Sequence, residues 1–157
     1  MSKLQETFDQ LIEEQRALQA KFQKTAQELF KQTTKEFFEL NPKVTAIVWT
    51  QYTPYFNDGD TCEFNVNDAT FTNAPDPHNV RWGEYDGDEE VAEDGSEIFA
   101  WEGWGDCPAG LNEDACNSFS RMICSSEMED VMKAMFGDHV KVVATREGFD
   151  VDDYDHD

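Results

Sequence analysis

Apolar positions near the start of the chain repeat with a helical period. Leu4, Phe8, Leu11, Leu18, Phe22 and Leu29 follow alternating four- and three-residue steps, with Gln15 and Thr25 at the two polar gaps. This is a heptad stripe. Ser2 and Gln5 form a capping box ahead of it; no Gly interrupts it, and no Pro occurs before Pro42. Asn41-Pro42 stops it, because the residue before proline avoids the α region. The pattern predicts one helix over residues 2–40, broadening after Leu29 to include Phe30, Phe37, Phe38 and Leu40. Such a helix is about 58 Å long, against about 30 Å for a compact domain of the remaining size. An overhang bearing the stripe then needs cover, and a homodimer through this helix supplies it. The alternative is a break near Thr33 and Thr34 with the helix folded back as a hairpin.

After Pro42 the period changes to two. Residues 43–53 read as a central strand, with Val44, Ala46 and Val48 on one face and Ile47 and Trp49 on the other. Asp58-Gly59 suits a two-residue turn into a second strand, where Cys62, Phe64 and Val66 alternate with polar residues. Residues 68–79, with two prolines, read as a loop. Two short strands are expected over 80–85 and 97–102. A helix is expected over 111–136, capped by Asn112 and Gly137 and weakened at Ser125 and Ser126. A last strand follows over 139–145. The order α-β-β-β-β-α-β gives an α+β fold: an antiparallel sheet of about five strands, a long N-terminal helix and a second helix. The expected division is a helix over 1–42, an α+β domain over 43–146 and an acidic tail over 147–157.

Charge changes this picture. The formal net charge is −22. Residues 1–40 hold six basic and seven acidic side chains; residues 41–157 hold six basic and twenty-seven acidic. The field therefore belongs to the α+β part. Glu84, Asp86, Asp88, Glu89, Glu90, Glu93, Asp94, Glu97, Glu102 and Asp106 stand in a run without Lys or Arg, and Asp150, Asp152, Asp153, Asp155 and Asp157 follow in the tail. Phosphates repel such a surface, so direct binding to nucleic acid or an anionic membrane is not expected. A basic partner protein is. Solubility alone calls for a net charge of about 2–8.

Catalytic chemistry finds no foothold. There is no G-x-S-x-G, no glycine-rich phosphate loop and no H-E-x-x-H, and His78, His139 and His156 are scattered. A non-enzyme without cofactor is expected. Counted from Asp86, the acids Asp88, Glu90, Asp94 and Glu97 echo a calcium loop, but Val91 stands where that loop needs Gly. A calcium module is the weaker alternative. Cys62, Cys107, Cys116 and Cys124 show no zinc spacing, and the first residues carry no apolar signal core. Free thiols in a reducing cytoplasm are expected, with Cys107 paired to Cys116 or Cys124 as the alternative.

The segment "WTQYTPYFNDGDTCEFNV", residues 49–66, resembles a segment of uncharacterised proteins of tailed bacteriophages and related mobile elements. The resemblance implies a small phage accessory protein in the host bacterial cytoplasm. Such proteins include acidic DNA mimics that inhibit host defence or restriction enzymes, a class defined by charge and not by motif. The expected function is thus a DNA-mimic inhibitor occluding the basic nucleic-acid-binding surface of a host protein. The alternative is a virion or complex assembly protein acting through its heptad helix.

Overall fold

The computed structural model describes residues 2–55, 59 and 62–155. Two compact units emerge, Met1–Thr33 and Thr34–Asp157. Helix α1, Lys3–Leu40, is helical throughout, without the break at Thr33 and Thr34 that a hairpin requires. The Ser2 hydroxyl accepts from the Gln5 N–H at 3.1 Å, closing the first turn. In the first unit all six stripe residues are exposed, from 55% at Phe8 to 80% at Leu4. The division falls inside the helix and not at Pro42. Its last turns belong to the second unit, because Phe37 packs there against Phe71 and Phe119.

The second unit is α+β. Its strands are β1 (Ala46–Tyr52), β2 (Asn65–Val66), β3 (Thr70–Thr72), β4 (Val80–Arg81), β5 (Glu84–Tyr85), β6 (Ala100–Trp101), β7 (Val140–Thr145) and β8 (Gly148–Asp153). The main sheet runs β6-β3-β1-β7-β8, with β2 also on β1, and all its pairs are antiparallel. Strands β4 and β5 pair with each other in a separate two-stranded sheet. Helices α2 (Glu113–Cys124) and α3 (Glu129–Phe136) are separated by a 3-10 turn, Ser126–Met128, so the single helix expected over 111–136 is two. The Asn112 side chain caps α2 through the Ala115 N–H.

Strand β1 is central, as its apolar faces require. Trp49 packs on Phe119 and Phe136 on the helical side. Ala46 and Val48 turn the other way, into a cluster with Ala74, Val80 and Val143, against which Tyr85, Ile98 and Ala100 pack. The second face is therefore covered by residues 73–100, an excursion with little regular structure.

Several segments differ from expectation, and residues 80–85, expected as one strand, are the two short strands β4 and β5 turned back on each other at Trp82 and Gly83. The supposed loop 68–79 contains β3, whose three residues are all buried beside β1. Two β-branched threonines around Phe71 suit a strand, and the Ala-Pro and Asp-Pro signals act only after it. The supposed tail 147–157 supplies β8, paired with β7 along its whole length. Phe149 packs on Phe136 and secures it. The alternating acids leave an edge that resists pairing with other chains. The strand expected around Cys62 shortens to Asn65–Val66. Asp58 of the expected turn lies outside the described residues, as do His156 and Asp157.

Candidate functional site

The site grows from the excursion over the second sheet face. Residues 73–106 carry eleven acids and one base, Arg81. The helical segment 113–136 on the opposite face carries five acids with Arg121 and Lys133. Glu84, Asp86, Asp88, Glu89, Glu90, Glu93, Asp94 and Glu97 are all exposed. The folded chain thus gathers them in one layer.

Neutral polar side chains hold that layer. Asn73 is buried at the end of β3. Its Nδ2 donates to Ser96 Oγ at 3.2 Å and to the Glu97 carbonyl at 2.9 Å, and its Oδ1 accepts from the Phe99 N–H at 2.9 Å. Thr72 donates to the Phe99 carbonyl at 2.8 Å. Within the loop the Ala92 N–H bonds to the Ser96 carbonyl, and Val91 bridges Glu97. Asp94 accepts from the Ser96 N–H and hydroxyl, and these bonds hold its carboxyl below the usual range. Tyr85 donates to Glu89; that bond pushes the phenol up to about 12 and lowers the carboxyl. Glu89, Glu90 and Glu97 share the rim of a shallow hollow of about 380 Å³ with Tyr85 and Ile98. Among the described residues no group of three or more His, Cys, Asp or Glu side chains could hold a metal ion, so the calcium-like spacing does not become a ligand set.

The other expected site residues part company with this group. Asp150 and Asp152 alternate with Phe149, so they face the excursion. There they bracket His78, at 3.4 Å and 3.2 Å. Lys141, opposite Asp152 on β7, donates to the His78 carbonyl at 2.8 Å. Burial lowers the Lys141 titration, Arg81 lowers it further, and Asp152, Asp76 and Asp86 pull it back. Asp150 and Asp152 therefore tie β8 to the 3-10 turn Pro77–Asn79, and Asp86 acts on Lys141 from the loop. Sequence reading could not see this, because His78 and Lys141 lie far along the chain from β8. Asp153 points to the opposite face by alternation, Asp155 follows the end of β8, and Asp106 lies past β6. Glu102 is half-buried; burial raises its titration first, then the charges of Asp68 and Glu84. Asp68, Asn73, His78 and Lys141 were not singled out by sequence. Only Asn73, next to a three-residue β run, carried a local signal.

All four cysteines are free thiols. Burial pushes Cys116 up to about 12, with Cys107 and Glu113 adding to it. Cys124, on an exposed residue, is pushed up to about 12 by burial and by the carboxylate of Asp68, whose Oδ1 lies 3.7 Å from its sulfur. Neither thiol is poised as a nucleophile. No described helix is long and apolar enough to cross a membrane. No protein-family model, curated protein or solved structure matches the chain.

Proposed function

We propose that the acidic layer docks into a cationic groove of a nucleic-acid-binding protein and blocks it without covalent chemistry. One observation carries the reading. Glu84, Asp88, Glu89, Glu90, Glu93, Asp94 and Glu97 are exposed in one layer that uncharged anchors fix to the sheet. Carboxylates fixed in space can follow phosphate positions, and the summed field speeds encounter with Lys- and Arg-lined clefts. The resemblance of residues 49–66 to phage proteins favours a host defence or restriction enzyme as the target, met in the bacterial cytoplasm.

The test is capture from bacterial lysate on immobilised protein at low salt. The captured protein should bind nucleic acid, and duplex DNA should release it at concentrations where the same ionic strength of simple salt does not. Asp88→Lys, Glu90→Lys and Glu93→Lys together should abolish capture. Retention at high salt, or capture undiminished by the triple variant, refutes the reading.

A second reading draws on the first unit: six large apolar side chains at heptad spacing stay exposed on one continuous helix. That surface suits a second copy, or another chain of an assembly.

A further inference from the structure

Beside the tip of the β4–β5 hairpin lies a cleft of about 290 Å³ lined by Tyr52, Asn67, Asp68, Trp82 and Glu102. We propose that this cleft takes one arginine side chain of the docking protein and anchors it; the proposal rests on the groove reading above and gives it a fixed point. The lining has the groups a guanidinium needs, two carboxylates, two aromatic rings and one carboxamide, with Arg81 already seated on one of the rings.

The carboxylates come first. Glu102 is half-buried, and the charges of Asp68 and Glu84 act on it. Among the described residues no ion pair joins Glu102 to a basic side chain to offset that repulsion. An incoming cation relieves it, and the planar fork of arginine can bond both oxygens of a carboxylate where lysine offers a point charge. Asp68 and Glu102 also border a larger cleft of about 500 Å³ that includes Arg121. There the Arg121 Nε donates to the Asn117 carbonyl at 3.4 Å.

Trp82 supplies the wall. It is 55% exposed at the tip of a two-residue turn, with φ of 50°, and Gly83 follows at 76°. Such a turn favours Asn-Gly, and a bulky ring is rare in that conformation. The indole is thereby held out from the sheet. It already receives one guanidinium: the Arg81 Cζ stands 4.9 Å from the ring centroid. The ring therefore has the chemistry to take a cation.

The experiment titrates the isotope-labelled full chain with N-acetyl-argininamide and follows the amides of Gly83, Asn67 and Glu102 by NMR. N-acetyl-lysinamide and acetamide are the comparison probes. Saturable shifts confined to these amides are expected, tighter for the arginine probe than for the lysine probe and absent with acetamide. Trp82→Asn, which suits the turn, should weaken binding about two- to fivefold. Asp68→Asn with Glu102→Gln should remove it, and Glu127→Gln, in the 3-10 turn after α2, should leave it unchanged. Shifts that spread over every acidic loop and survive the double variant overturn the cleft. Partner capture of full strength by Trp82→Asn also overturns it while leaving the groove reading intact. Argininamide saturating the cleft, beside capture that ignores salt and DNA, overturns the groove reading alone.

Discussion

Replacing Gln51 with leucine should cost the second unit about 2–4 kcal/mol, mostly through the three side-chain hydrogen bonds it removes. Gln51 is fully buried in β1 and uses both ends of its carboxamide. Its Oε1 accepts from the Trp49 indole N–H at 3.1 Å. Its Nε2 donates to the Met132 carbonyl at 2.9 Å and the Gly137 carbonyl at 2.8 Å. The side chain thus bolts the end of α3 to the central strand. Leucine fills a similar volume but offers neither donor nor acceptor. The indole N–H, on a residue only 2% exposed, loses the Gln51 bond, a loss of about 1–3 kcal/mol. The Met132 carbonyl lies inside α3 and keeps its place in the helical ladder, and Gly137 is only half-buried, so these two add less. Against a total stability of about 5–15 kcal/mol the loss is large. Urea unfolding followed by circular dichroism measures it, and Trp49→Phe alone and combined with Gln51→Leu completes a cycle. The double variant should be less destabilised than the sum of the singles, since both singles remove the same bond. A Gln51→Leu protein within about 0.5 kcal/mol of the parent refutes the reasoning. The network lies on the helical side of the sheet, so any folded fraction should retain binding by the acidic layer.

Two further outcomes follow from other parts of the molecule. Burial pushes the Asp138 carboxyl up, but bonds from the Thr53 hydroxyl and N–H, the nearby His139 and the His139 N–H outweigh it and leave it below its usual value. Its contribution is therefore complete above the unfolded value of about 3.9 and fades as pH falls through the lower folded one. Asp138→Asn should cost about 1–2 kcal/mol at neutral pH, with the gap to the parent closing below about pH 4 in urea midpoints; a gap constant down to about pH 2 contradicts this. For the first unit, Leu11→Asp with Leu18→Asp should halve the mass seen by light scattering if the stripe pairs two copies. A parent protein that is already monomeric at high concentration removes that reading.

Much of the fold was legible because it rests on periodicity. The long helix, the central strand and the capped second helix each follow from apolar spacing and terminal residues within one window. The misread segments are those where composition and pairing disagree. Thr70–Thr72 is three residues long and is followed by two prolines, so turn signals outvoted it. Gly148–Asp153 carries alternating acids, which read as a solvated tail; only its pairing with β7 and the contact of Phe149 with Phe136 make it a strand. Both depend on partners distant in sequence, which no local window contains. The same limit applied to charge. The density of acids was visible, but not that Asp150 and Asp152 would close on His78.

How the acidic loop is held decides what it can do. Seven carboxylates within residues 86–97 repel one another and would favour an open loop. Lysines or arginines reaching in would fix the loop, and they would cancel its field in doing so. Asn73 and Thr72 fix it differently: a buried carboxamide and a hydroxyl bond to the backbone of Glu97 and Phe99 and leave the carboxylates outside. Each of those bonds is neutral, so restraint is gained without loss of charge. Lys141 serves the edge strand instead, through the His78 carbonyl, and Lys43 acts on the loop only at Asp94, as a minor influence beside the Ser96 bonds. The chain thus separates acids that secure structure from acids that face outward, and only the outward set retains the field that a cationic groove would meet.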